Sequence, residues 1–132
     1  MLGSVDFENA AVVADMEAGI VTLTRLGDQR VDTVLVVVEP TPKSLEVGQR
    51  AAALAVEKQL GRVIVVASRI RNESDLEMVT KLFAGYEVVP IPDDPAIVAA
   101  DRAGVALLDT APDSPAVRAL CELALGLLPV PA

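Results

Sequence analysis

Four short stretches hold the residue types that could do chemistry. The first is Asp15-Met16-Glu17-Ala18-Gly19, which follows the apolar run Ala10–Ala14. An aspartate at the end of a buried strand suits an indirect magnesium ligand, and Gly19 would let its backbone N–H approach a phosphate closely. The same pattern also suits an ordinary polar strand end and turn. The second is Glu39-Pro40-Thr41-Pro42, where strand exit and helix cap account for every residue. The third is Ser68-Arg69 with Arg71-Asn72, a cationic exit that could touch a base or phosphate, or could cap a neighbouring element. The fourth is Ile91-Pro92-Asp93-Asp94-Pro95, a rigid acidic turn whose aspartates can cap the next helix. Two adjacent aspartates also suggest a cation site, but sequence neighbours seldom converge on one ion without further ligands.

Composition excludes several alternatives. The chain has no histidine and one cysteine, Cys121, so zinc sites and Ser-His or Cys-His nucleophiles are ruled out for it alone. No intrachain disulfide can form, which fits a reducing cytoplasm. The net charge is −8, and residues 86–132 carry seven acids against two arginines. Such a surface repels nucleic-acid phosphates, and no basic patch or aromatic platform offsets it, so no nucleic-acid role is expected. No apolar run reaches the roughly 18 residues of a membrane helix, and Met1–Glu8 lacks the pattern of a signal peptide.

The elements that must position these stretches follow from periodicity. The sequence is 52% hydrophobic and only 2% aromatic, with its apolar content mostly Val, Ala and Leu. Valine runs predict strands at 10–14, 33–38, 63–67 and 86–89, the last closed by Pro90-Ile91-Pro92. A helical turn is expected near 20–26. Helices are expected from Pro42 to about Gln59 with Val47, Ala51 and Leu54 inward, and from Glu73 to about Phe83 with Asn72 as cap. In that second helix Leu76, Val79 and Leu82 or Phe83 should face inward. A short helix at 96–103 ends at Gly104, and a last one runs from Pro115 to about Leu128 with Val117, Leu120, Cys121 and Ala124 inward. The tail 129–132 should fray. Strands alternating with helices at this spacing give an α/β fold: a mostly parallel sheet of about four strands with flanking helices, in one domain over 1–132. Ligands of such sheets bind beyond the carboxyl ends of the strands, where all four stretches fall.

In that order and spacing, the stretches VVADMEAGI (12–20), VLVVVEPTPKSLEVGQRAAALA (34–55), VIVVASRI (63–70) and IPDDPAIVAADRAGVALLD (91–109) resemble the second half of MinD/ParA-like P-loop ATPases, with the CooC type the nearest branch. The resemblance implies a partial P-loop, Rossmann-like three-layer fold, and ATP or ADP with magnesium as ligand. It implies that Asp15, Glu17 and Gly19 belong to the loop that senses the terminal phosphate, with Asp15 toward magnesium. It places Ser68 and Arg69 where the family uses an Asn-Lys or Asn-Arg pair on adenine, so that asparagine is missing. It sets Pro92, Asp93 and Asp94 beside the base. Ile20-Val21-Thr22 stands where the CooC branch often has Glu-His.

The glycine-rich loop with two lysines that grips the phosphates occurs nowhere in the 132 residues. The expectation is therefore a half-domain that binds or regulates without ATPase activity of its own. The alternatives are a fragment of an active ATPase for metallocentre maturation or partitioning, and a flavodoxin- or receiver-like module. Without a phosphate-loop strand, the strand at 33–38 should show an open edge with Val34, Val36 and Val38 exposed, alongside Val12 and Val13. That favours a homodimer or a partner protein.

Overall fold

A computed structural model describes residues 11–16 and 31–128. Three parallel strands lie in the order β1 (Thr33–Val38), β2 (Arg62–Ile70), β3 (Glu87–Pro92). The connections are α1 (Pro42–Glu57) between β1 and β2, and α2 (Glu73–Leu82) between β2 and β3. After β3 come α3 (Pro95–Ala103), the single turn α4 (Leu107–Thr110) and α5 (Pro115–Leu127). The α/β class and parallel pairing are as expected, and the described residues form three strands. Residues 11–16 carry no strand, and Val13 is 89% exposed. Ala10, the turn at 20–26 and the tail 129–132 lie outside the described residues.

Each face of the sheet has its own core. On one, Val36 and Val38 of β1 and Val65 and Ala67 of β2 meet Leu45 and Ala52 of α1, and Val79 and Phe83 at the end of α2. On the other, Ile64, Val66 and Ile91 meet Ala116, with Val89, Ala119, Leu123 and Leu127 packed around them. β-branched residues suit a sheet covered on both faces, because their stiff side chains fill the pleat.

Two helices are rotated from the expected phase. α1 buries Leu45, Gly48, Ala52 and Ala55, while Val47 is 44% exposed. Ala51 and Leu54 are only half-buried. The reason is close approach: a Cβ at Gly48 would collide with Val38 Cγ1, so the small-residue stripe, not the larger one, faces the valine sheet. α5 likewise buries Ala116 and Val117, with Ala119, Leu123 and Leu127 half-buried, and leaves Leu120, Cys121 and Ala124 exposed. In α2, Val79 and the capping Phe83 are buried and Leu76 is half-buried, whereas Leu82 is exposed.

Two strands also run further than expected. Pro90 and Pro92 do not close β3; they lie within it. An edge strand tolerates proline because the missing N–H can face away from the ladder. β2 continues through Ser68 and Arg69, with a register shift against β3 between Ala67 and Ile70. Val36 and Val38 are not exposed but buried, and Val34 is half-buried. The exposed residues of β1 are Leu35 and Val37, which point to the opposite face.

Candidate functional site

Parallel pairing brings the carboxyl ends of all three strands to one rim, where Glu39, Ser68-Arg69 and Pro92-Asp93-Asp94 sit. Arg69 is at its centre. Its φ is +58°, in the left-handed region that costs a residue with a Cβ about 1–2 kcal/mol. This residue takes up the register shift at the end of β2, and a bulge of this kind re-aims the side chain. The guanidinium lies between two carboxylates, with Nη1 3.6 Å from Glu39 Oε1 and Nε 3.7 Å from Asp93 Oδ1. Both distances exceed hydrogen-bond range, so the attraction is Coulombic and solvent-screened, and the arginine side chain is 62% exposed. Arg69 is therefore held loosely by the two outer strands. Ser68 is half-buried beside it.

The neighbouring residues are tightly bonded. Arg71 donates to Asp75 through Nε (2.9 Å), Nη2 (3.2 Å) and its backbone N–H (3.1 Å). Asn72 Oδ1 accepts from the N–H of Asp75 at 2.9 Å, so Asn72 and Asp75 together hold the start of α2. The Arg71 side chain, then its backbone N–H, keeps the Asp75 carboxyl below the usual carboxylate range. Asp94 is buried and caps two helices at once. Its Oδ1 accepts from the N–H of Ala96 at 2.9 Å at the start of α3, and Oδ2 accepts from the N–H of Ala116 at 3.1 Å at the start of α5. The Ala116 bond first, then the Ala96 bond, hold its carboxyl below the ordinary range. Asp93 is exposed, and its N–H donates to Ile70 O at 2.9 Å.

At the remaining strand end, Thr41 sits in the cap position of α1 but makes no side-chain cap bond. Ser44 Oγ instead accepts from the N–H of Glu39 at 2.9 Å. The structure thus joins Glu39, Arg69 and Asp93. It gives Asp94, Arg71 and Asn72 structural partners. Asp15 is exposed in the irregular segment 11–16 and takes no part in the Arg69 pairs. Glu17 and Gly19 lie outside the described residues.

Sequence reasoning missed the link from Asp94 to Ala116, 22 residues away. It also missed the left-handed turn at Arg69, since neither glycine nor asparagine stands there to signal it. Among the described residues no three His, Cys, Asp or Glu side chains gather as a metal site. Two open concavities lie away from this rim. One of about 600 Å³ is lined by Gln59, Gly61 and Tyr86 at the opposite end of the sheet. The other, of about 300 Å³, lies between β3 and α5.

Comparison with known proteins gives the chain its relatives. The chain is 30% identical over 102 residues to the carbon monoxide dehydrogenase accessory protein CooC of Rhodospirillum rubrum, covering 76% of this chain and 39% of that protein. Two uncharacterized ATP-binding proteins of Methanocaldococcus jannaschii also match. One is 34% identical over 96 residues (70% of this chain, 37% of the relative), and the other 32% over 123 residues (89% and 46%). Among solved structures, the MinD cell division protein of Aquifex aeolicus superposes with a TM-score of 0.60 at 22% identity, over 76% of this chain and 46% of that one.

This chain is related to the CooC- and MinD-like P-loop ATPases. No protein-family profile matches it. It spans less than half the length of the curated relatives it matches. The MinD likeness agrees with the fold derived above. Among the described residues no helix is long and apolar enough to cross a membrane.

Proposed function

We propose that these 132 residues form a single binding or regulatory module of the nucleotide-binding CooC/MinD kind, without ATPase activity of their own. The observation that carries this reading is the state of Arg69. It is the rim's arginine on the central strand, and two carboxylates already face it, Glu39 at 3.6 Å and Asp93 at 3.7 Å. Phosphoryl transfer works by positioning and charge neutralisation, and the sequence contains no lysine-bearing phosphate loop to supply either. What the rim offers is a surface for the base, at Ser68, Arg69, Pro92 and Asp93. Asp94 supports it by fixing two helices, while Asp15, Glu17 and Gly19 would face the phosphates. The module would act in the cytoplasm, with a second copy or a partner protein.

Calorimetry with ATP and ADP, with and without magnesium, tests this. The expected dissociation constant is weaker than about 10 μM, equivalent to about −7 kcal/mol, and turnover should not exceed a buffer blank. Tighter binding, or turnover abolished by Asp15→Ala, would overturn the reading.

The lengths of the relatives favour a second reading, in which this stretch works within a longer ATPase. A glycine-lysine loop encoded directly upstream, together with activity of the longer chain, would establish it.

A further inference from the structure

The two cores hold the sheet, α1, α2 and α5, and one stretch belongs to neither. Residues 95–113 comprise α3, the turn α4 and the loop that leads to α5, and they contribute no side chain to the cluster on either face of the sheet. Ala100 is their only buried residue, whereas Ile97, Val98, Val105 and Leu108 are exposed. Apolar burial therefore does little to fix this stretch, and segments of that kind open before the rest of a fold. It leaves the sheet at β3, the edge strand farthest from β1.

Its own bonds are local. Gly104 ends α3 at φ +67° and donates to Asp101 O at 3.1 Å, Val105 N–H donates to Ala100 O at 3.0 Å, and Ala111 N–H closes α4 on Leu107 O at 2.9 Å. All three persist when the stretch moves as a whole. The points on either side of it are fixed. Before it, Asp93 N–H is bonded to Ile70 O at 2.9 Å. After it, Ser114 Oγ accepts from the N–H of Val117 at 3.3 Å, and Ala116 lies in the core with Ile64, Val66 and Ile91. One side chain joins the two ends. Asp94, buried, holds the N–H of Ala96 in the first turn of the stretch with Oδ1 and the N–H of Ala116 beyond its far end with Oδ2. Among the described residues no other side-chain hydrogen bond or ion pair ties the stretch to the rest.

We infer that residues 95–113 are a hinged flap, latched by Asp94, which opens as one body while the sheet and α5 stay folded. Opening breaks the Asp94 bond to Ala96 or to Ala116 and uncovers little apolar surface, because most of that surface is already exposed. The hinges are short, at 94–95 and 111–113. Glu39, Arg69 and Asp93 keep their places, since Asp93 is tied to β2 by its N–H and not to α3. The moving part is the element that borders Asp93, so the domain has a conformational switch directly beside its rim.

Native-state amide exchange on the full 132-residue chain tests this. The bonded amides of α3 and that of Val105 should share one protection factor, roughly 100-fold below that of Val65 and Val66 in β2. Asp94→Asn replaces one acceptor by a donor. It should lower protection roughly tenfold in the flap and in β2 alike, because local and global opening both break the latch. Ile64→Val, in the core beneath α5, should lower protection in β2 by roughly fivefold and leave that of the flap unchanged, because its contacts persist when the flap opens. Flap amides as protected as Val65 and Val66 would overturn the inference. A gradient of protection along α3 would do so as well, since it marks fraying and not a hinged body. So would flap protection that follows Ile64→Val or ignores Asp94→Asn. If Asp94→Asn does not fold, the parent and Ile64→Val still decide between a flap and opening of the whole domain.

Discussion

Both carboxylate oxygens of Asp94 accept from backbone N–H groups, at 2.9 and 3.1 Å, and those of Asp75 accept from Arg71, through its backbone N–H at 3.1 Å and its guanidinium at 2.9 and 3.2 Å. Next to them in sequence or space, Glu39, Arg69 and Asp93 meet only at 3.6–3.7 Å and stay exposed. All five sit at one rim, and all but Arg69 are carboxylates. The difference lies in what each one faces. Asp94 points at two helix starts, where unpaired N–H groups fix a carboxylate firmly, and Asp75 at the backbone and side chain of Arg71. Glu39 and Asp93 face a flexible side chain in water. The tight residues set the positions of α2, α3 and α5, and the loose ones are free to exchange partners. A binding surface on this rim would therefore use the loose set and be shaped by the tight set.

The largest effect that would sharpen this contrast is expected from Asp94→Ala. It leaves the start of α3 without its cap and removes one of the two side-chain acceptors at the start of α5, where Ser114 still accepts from the N–H of Val117, and thermal unfolding should fall by roughly 10 °C. Asp93→Ala, one residue away, should shift it by no more than about 2 °C. Equal losses in the two variants would break the comparison.

Acid titration comes next. The Asp75 and Asp94 carboxyls are held below their ordinary value of 3.8 in the folded chain. Each therefore contributes stability that is present above the unfolded value and is lost as pH falls through the folded one. Urea midpoints should drop as pH goes from about 4 downward. The double variant Asp75→Asn, Asp94→Asn should start less stable and show a flatter acid limb. An unchanged slope would mean that other carboxylates carry the acid sensitivity.

A smaller effect separates backbone from charge at Arg69. Arg69→Val should cost about 1–2 kcal/mol relative to Arg69→Gly, because a β-branched residue resists a positive φ and glycine does not. The smallest change is expected from Glu39→Gln, whose melting temperature should stay within about 1 °C of the parent. If Glu39→Gln destabilised as much as Arg69→Val, the loose set would be structural too.

Much of this molecule was legible in its residues. TVLVVV could only be a strand, Asn72 and Ser114 announced helix starts by their side chains, and Gly104 marked a stop that it makes at φ +67°. The stretches that resemble CooC- and MinD-like proteins also led to the relatives that the comparisons find. The phase of α1 was not legible, because hydrophobicity favours Val47 and Leu54, whereas close packing against Val38 favours Gly48. Nor was the end of β2 legible, since the strand passes through Arg69 by a left-handed residue that its side chain does not announce.

The sequence by itself determined three of the strands and the helices that follow them, though not every boundary, because periodicity and caps act within a few residues of chain. It determined the acidity and the absence of a phosphate loop, because these are matters of composition. Only the tertiary structure decided that Asp94 bridges to Ala116, that Arg69 stands between Glu39 and Asp93, and that Leu35 and Val37, not Val36 and Val38, face outward. Each of these depends on contacts between residues far apart in the chain or on which sheet face a helix covers, and local preferences carry no information about either.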